Sequence, residues 1–212
     1  MKTFDQMLDG YRHFRSSDWK EQRERWAQLA EGQSPQVMVI SCSDSRVDPA
    51  QILDVAPGEI FVLRNVAALV PPFETTPGRH GVSAAVEFAV QFLKVKEIVV
   101  MGHGLCGGCQ AALTQDLHGN EIGEGGFVAH WVDMLDDVRG PIADKLGTTG
   151  REAELAMELA AVKISLQNLM TFPYVEEKVN SGTLSLRGAH FAISDGILRL
   201  LDPASGEFTA AE

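Results

Sequence analysis

Three short, almost wholly apolar runs constrain this chain most: residues 36–41 (QVMVIS), 60–63 (IFVL) and 98–101 (IVVM). Runs this short, without polar alternation, suit strands buried on both faces of a parallel sheet. Between the second and third lies 81–93 (GVSAAVEFAVQFL), whose small and apolar residues recur at helical spacing, and a further helix opens around Cys106. Strand and helix alternating in this order predict an α/β fold: a mainly parallel central sheet built from right-handed crossovers, with flanking helices.

The rest of the chain fits around that sheet. Residues 1–31 read as a helical arm: Asp18-Trp19-Lys20-Glu21 has capping-box spacing, Trp19, Arg23, Trp26, Leu29 and Ala30 follow with helical period, and Gly32 ends it. A Gly-rich stretch at 118–127 is expected to be a loop, with helices at 128–138 and 151–169. Segments 183–193 and 197–201 flank Ser194-Asp195-Gly196 and predict an antiparallel C-terminal hairpin at the sheet edge. No repeat or linker interrupts the 212 residues, so one domain, 1–212, is expected. The net charge of −11, with no Lys/Arg cluster, argues against nucleic-acid binding. No stretch reaches the roughly 18 apolar residues of a membrane helix. Met1 to Gly10 do not read as a signal peptide, and an odd number of cysteines argues against a disulfide framework. A cytoplasmic protein without a membrane partner is the expectation.

Reactive residues fall at the strand ends. Cys42 follows the first run, in Cys42-Ser43-Asp44-Ser45-Arg46; His103 and Cys106 follow the third, in Gly102-His103-Gly104-Leu105-Cys106-Gly107-Gly108-Cys109. The carboxyl ends of parallel strands meet at one rim, where ligands bind. Two thiolates and an imidazole converging there favour zinc and leave a fourth position open. Gly102, Gly104, Gly107 and Gly108 are expected to give the second turn positive φ angles and close approach to the metal. Asp44 can occupy the fourth position or step back from it, and Arg46 beside it favours stepping back.

With these residues the sequence resembles the β-class carbonic anhydrases. The family's Cys-x-Asp-x-Arg and His-x-x-Cys signatures stand as Cys42/Asp44/Arg46 and His103/Cys106. The likeness runs strongly over roughly residues 30 to 115, through Gln33-Ser34-Pro35, Pro57–Phe61 (PGEIF) and Arg64–Ala67 (RNVA), and loosely into the final hairpin. It implies zinc-dependent, reversible hydration of CO2 to bicarbonate and a proton by metal-bound hydroxide, with one zinc on Cys42, His103 and Cys106, and Asp44 as a fourth ligand in a closed state. Asp44 and Arg46 would then be catalytic. Gln33 would donate to bound CO2 or bicarbonate, and Phe61 and Phe88 would line its pocket, Phe88 from across a dimer interface. The assembly implied is a homodimer or dimer of dimers, its N-terminal arm wrapped on a partner subunit.

Within the family, the bicarbonate-gated subset has a Trp on the first strand, an Arg after the second and a Tyr in the hairpin; here stand Val39, Arg64 and Ser194. The resemblance is therefore to the ungated subset, with an open resting site, and Arg64 reads as an interface ion pair in preference to a remnant of the regulatory site. The same residues admit two other readings. Gly102-x-Gly104-x-x-Gly107 matches a dinucleotide fingerprint, without the acidic residue expected about 20 positions on. Cys106-x-x-Cys109 could be a redox pair, or Cys109 could close the site as a structural Cys3His zinc centre, since the family usually has an aliphatic residue there. His13, His80, His118, His130 and His190 read as surface or packing residues.

Overall fold

The computed structural model describes residues 1–117 and 126–211, so the core of the Gly-rich stretch lies outside the described residues. The chain divides into two compact units, Met1–Ser34 and Pro35–Glu212.

The first unit holds three helices: α1 (Phe4–Ser16), α2 (Asp18–Glu21) and α3 (Arg23–Glu31). The capping box expected at Asp18–Glu21 is instead at Thr3 and Gln6, where Gln6 N–H donates to Thr3 Oγ1 (3.4 Å) and Thr3 N–H donates to Gln6 Oε1 (2.9 Å). Asp18 opens a short helix without a side-chain cap; the Ser17 hydroxyl lies 2.7 Å from the His13 carbonyl and 3.0 Å from Asp18 Oδ1. The breaks at Ser17 and Gln22 bring Phe14 and Trp26 edge to face, ring centroids 5.7 Å apart.

The second unit is built on a six-stranded sheet in the order β2-β1-β3-β4-β5-β6. Its first half comprises β1 (Val37–Cys42), α4 (Pro49–Ile52), β2 (Ile60–Asn65), α5 (Gly81–Glu87), β3 (Glu97–His103) and α6 (Gly107–Thr114). Then follow α7 (Phe127–Val132), α8 (Asp136–Leu146), α9 (Arg151–Leu169), α10 (Pro173–Asn180), β4 (Ser185–Phe191), β5 (Leu198–Leu201) and β6 (Phe208–Ala210). β2, β1, β3 and β4 are parallel, while β5 and β6 return antiparallel. The hairpin β4–β5 is thus present, with β4 itself continuing the parallel sheet. The helix expected over 81–93 changes character at Phe88, where a π-helical turn, Phe88–Leu93, completes it and Lys94 ends it with φ 57°. The helix expected over 128–138 is broken by the short 3-10 turn Asp133–Leu135 between α7 and α8.

Period-two alternation sorts the strand residues. Met38, Ile40, Ile98 and Val100 enter one core cluster with Val86, Val90, Leu169 and Phe172; Val39 and Met101 face the other side. A further cluster, containing Cys42, Cys106, Cys109, Leu113 and Leu135, lies at the rim. Helix α9 serves both: Val162 and Leu169 belong to the first cluster, Ala153, Met157 and Ala161 to the rim cluster. The helix that supports the sheet thereby reaches the end where the reactive residues sit.

Candidate metal centre

β1 and β3 are direct neighbours, with Ser41 opposite Met101, so Cys42 and His103 leave the sheet side by side. Cys106 occupies the N-cap of α6 in extended conformation; its carbonyl accepts from Gln110 N–H (2.9 Å) and its side chain makes no capping bond. A thiol in that place is free to point at the rim. The ligand atoms of Cys42, His103 and Cys106 all lie within 4.8 Å of one another, the two sulfurs 4.0 Å apart, and all three residues are buried. Among the described residues this is the one such donor group, and Cys109 is not part of it.

The donors fit a zinc ion. His103 Nδ1 lies 2.9 Å from the Gly104 carbonyl, which assigns the proton to Nδ1 and leaves Nε2 as a bare acceptor. That Nε2 is buried without a hydrogen-bond partner. The Cys106 thiol beside it, together with burial, pushes Cys42 up to about 12; Cys109 and burial do the same to Cys106. Both sulfurs become thiolates together only with a shared cation, which inverts the local electrostatics.

Asp44 sits at the mouth. Its Oδ2 is 4.0 Å from His103 Nε2, yet both carboxylate oxygens are engaged by Arg46: Nε donates to Oδ1 (2.9 Å) and Nη2 to Oδ2 (2.6 Å), with the Arg46 backbone N–H on Oδ1 (2.9 Å). These hydrogen bonds hold the Asp44 carboxyl well below the usual carboxylate range. Arg46 Nη2 also donates to the Leu105 carbonyl (3.0 Å), tying one ligand-bearing turn to the other.

Within the chain, Arg64 also has a task that sequence reasoning did not anticipate. Its Nε donates to the Cys42 carbonyl (2.8 Å), its Nη2 to the carbonyls of Asp44 (2.7 Å) and Val47 (3.3 Å), and its Nη1 meets Asp48 (3.2 Å). One guanidinium thus frames the whole Cys42–Asp48 turn.

The glycine expectation needs correcting. None of Gly102, Gly104, Gly107 and Gly108 has positive φ; the left-handed residue of the turn is Leu105, at φ 59°. Two of the glycines are required for space instead: a Cβ on Gly102 would stand 2.7 Å from Val162 Cγ2, and one on Gly108 2.7 Å from Val66 Cγ1.

Gln33 is exposed in the first unit. Phe61 packs against the first core cluster, not the rim cluster; its ring centroid is 5.8 Å from that of Phe88, which is 43% exposed and stacks on Phe92 at 5.5 Å. Sequence reasoning missed Glu158 of α9, whose buried carboxylate accepts from Leu105 N–H (2.7 Å), Arg151 (2.7 and 2.8 Å) and His190 (2.9 Å). The available signal was an acid among Ala153, Met157, Ala161 and Val162 on the buried face of a helix.

A family model described as carbonic anhydrase matches residues 37–198. Beta carbonic anhydrase 5, chloroplastic, of Arabidopsis thaliana is 36% identical over 194 residues, 91% of this chain and 63% of that protein; the chain therefore spans less than two thirds of it. Beta carbonic anhydrase 3 of the same plant is 31% identical over 202 residues, covering 94% of this chain and 77% of that protein. Among solved structures, the β-carbonic anhydrase CcaA superposes with a TM-score of 0.90 at 28% identity, over 99% of this chain and 92% of that one. A tetrameric β-carbonic anhydrase of the ascomycete Sordaria macrospora gives 0.82 at 32% identity, over 98% of each. With its parallel sheet, its Cys-His-Cys donors and these likenesses, the chain belongs to the carbonic anhydrase family, in its β class.

Proposed function

We propose that this protein catalyses the reversible hydration of CO2 to bicarbonate and a proton, with one zinc held by Cys42, His103 and Cys106. The observation that carries the reading is the Arg46–Asp44 pair beside the bare His103 Nε2. Zinc bound there supplies a Lewis acid that brings the pKa of water from ~16 to ~7. Asp44, kept ionised by Arg46, accepts a hydrogen bond from the attacking nucleophile and fixes its direction toward CO2. Because Arg46 occupies both carboxylate oxygens, Asp44 stays off the fourth metal position, which supports an open resting site in place of the Asp44-ligated closed one.

Gln33 is assigned to orient CO2 or bicarbonate through its side-chain N–H, and Phe61 and Phe88 to supply the apolar wall. The exposed ring of Phe88 supports its use by a second subunit, as homodimer or dimer of dimers, and the absence of buried residues in α1–α3 supports an arm that lies on that subunit. On this reading 1–212 is one functional domain. Among the described residues no helix is long and apolar enough to cross a membrane. The three free thiols support a reducing compartment and, with it, a cytoplasmic location.

The test is metal analysis with stopped-flow CO2 hydration of the wild type and Asp44→Asn. The expected result is one zinc per chain in both, with turnover lowered by ~10²-fold or more in the variant. A wild type that holds zinc without turnover, or an unimpaired variant, refutes it.

A further inference from the structure

Between the two ligands of the second turn stands Leu105, the residue with φ 59°. A branched side chain in the left-handed region is strained and persists only where its surroundings hold it. Its peptide groups are gripped from two sides: Arg46 donates to its carbonyl (3.0 Å), and its N–H donates to Glu158 Oε1 (2.7 Å). Arg46 lies on the open side of the turn. Glu158 is on the closed side, its side chain 1% exposed.

The Glu158 carboxylate is fully used. Oε1 accepts from Leu105 and from Arg151 Nη1 (2.7 Å); Oε2 accepts from Arg151 Nη2 (2.8 Å) and His190 Nε2 (2.9 Å). Four bonds fill the four lone-pair sites of an ionised carboxylate, so the group has no freedom to turn. Each partner comes from a different support. Arg151 opens α9, two turns before Glu158, and His190 lies on β4 opposite Gly102 of β3. The adjacent Gly104 N–H is bonded to the Phe191 carbonyl (2.8 Å). Helix α9 and strand β4 together thus set the path of the chain from His103 to Cys106.

We infer that Glu158 is a positioning residue of the metal centre: through the Leu105 N–H it holds the turn that sets His103 and Cys106 at ligand spacing. It touches neither metal nor substrate. Its effect is on how the donor set is arranged before the ion arrives. This rests on the reading of Cys42, His103 and Cys106 as ligands.

Glu158→Gln tests it: the shape is retained, but one acceptor oxygen becomes a donor, facing Arg151 together with either Leu105 or His190. The readouts are zinc affinity by chelator competition and the visible absorption of the cobalt-substituted protein, which reports ligand geometry. The expected outcome is zinc binding weakened on the order of 10- to 100-fold, the range for outer partners of metal ligands, with shifted cobalt bands. Arg151→Lys, which replaces a two-point fork by a point charge, is expected to move both readouts the same way by less; it carries the test alone if Glu158→Gln does not fold. Val175→Ala, in the other core cluster, serves as the control of comparable thermal destabilisation and is expected to leave both unchanged. A rescue adds specificity: in a Leu105→Gly background, where positive φ carries no strain, the loss caused by Glu158→Gln is expected to shrink several-fold. Unchanged affinity and bands in Glu158→Gln and Arg151→Lys, or equal changes in Val175→Ala, overturn the inference. A wild type that takes up no metal overturns the ligand assignment instead.

Discussion

The turn after β1 and the turn after β3 deliver their ligands to one rim, but they are held by different means. The first, Cys42 to Asp48, is framed by guanidinium groups: Arg64 takes three of its carbonyls, and Arg46, with a side chain 46% exposed, grips Asp44. The second, His103 to Cys106, is set from beneath by the buried Glu158 carboxylate and by backbone pairing to Phe191. Charge near solvent can rearrange when water or substrate arrives; a carboxylate with every acceptor site filled cannot. The first turn thus carries the adjustable chemistry, and the second the fixed geometry.

The sharpest way to break this division is Arg46→Ala. With its clamp gone, the Asp44 carboxylate can reach the fourth metal position, so turnover at neutral pH should fall on the order of 100-fold while zinc stays at one per chain. Metal analysis beside stopped-flow rates decides it, and loss of zinc would mean that the two turns are not separable in this way.

Acid stability probes the second turn. Burial raises the Glu158 pKa, but the bonds from Arg151 and His190 outweigh it and hold the group at about 2, against an ordinary 4.5. A carboxyl depressed in the folded state stabilises it fully above the unfolded pKa and loses that contribution as pH falls toward the folded one. Between pH 5 and pH 3 the metal-free protein should therefore lose about 2 kcal/mol more than Glu158→Gln does. Urea midpoints at the two pH values measure this, and parallel declines would show that Glu158 is not the group involved.

Arg64→Gln should have a smaller effect on the first turn, lowering turnover about tenfold with zinc retained. A variant with full turnover would leave Arg46 as the one arginine that matters there.

How much of this was legible before folding depends on whether the cause was local. The three apolar runs and the span of α9 announce themselves because burial on both faces, or on one helical stripe, writes a period into consecutive residues. Cys42, Asp44, Arg46, His103 and Cys106 are legible for a related reason: each trio or pair sits within five residues of one strand end. What stayed hidden is what depends on distant partners. Glu158 is 53 positions from Leu105, and Arg64 is 22 from Cys42, so neither contact leaves a local mark. The break of the N-terminal helix at Ser17 is accompanied by hydroxyl bonds to His13 and Asp18 that no apolar period announces. Helix α10 does carry a local sign, Pro173 at its first position, which the pattern of apolar residues alone did not bring out.

Cys109 gives the smallest effect and the finest distinction. It lies one helical turn beyond Cys106, buried in the rim cluster with Ala112 and Leu113, so its environment is that of a small apolar residue. If Cys109 only packs, Cys109→Ala should leave zinc at one per chain, with affinity and turnover within about twofold of the wild type. If Cys109 were instead a fourth ligand, the same substitution would weaken zinc binding by orders of magnitude. A zinc titration against a competing chelator separates the two accounts without any measurement of rate. Unchanged affinity would keep the second turn as a two-ligand scaffold and leave the fourth position to the chemistry of the first.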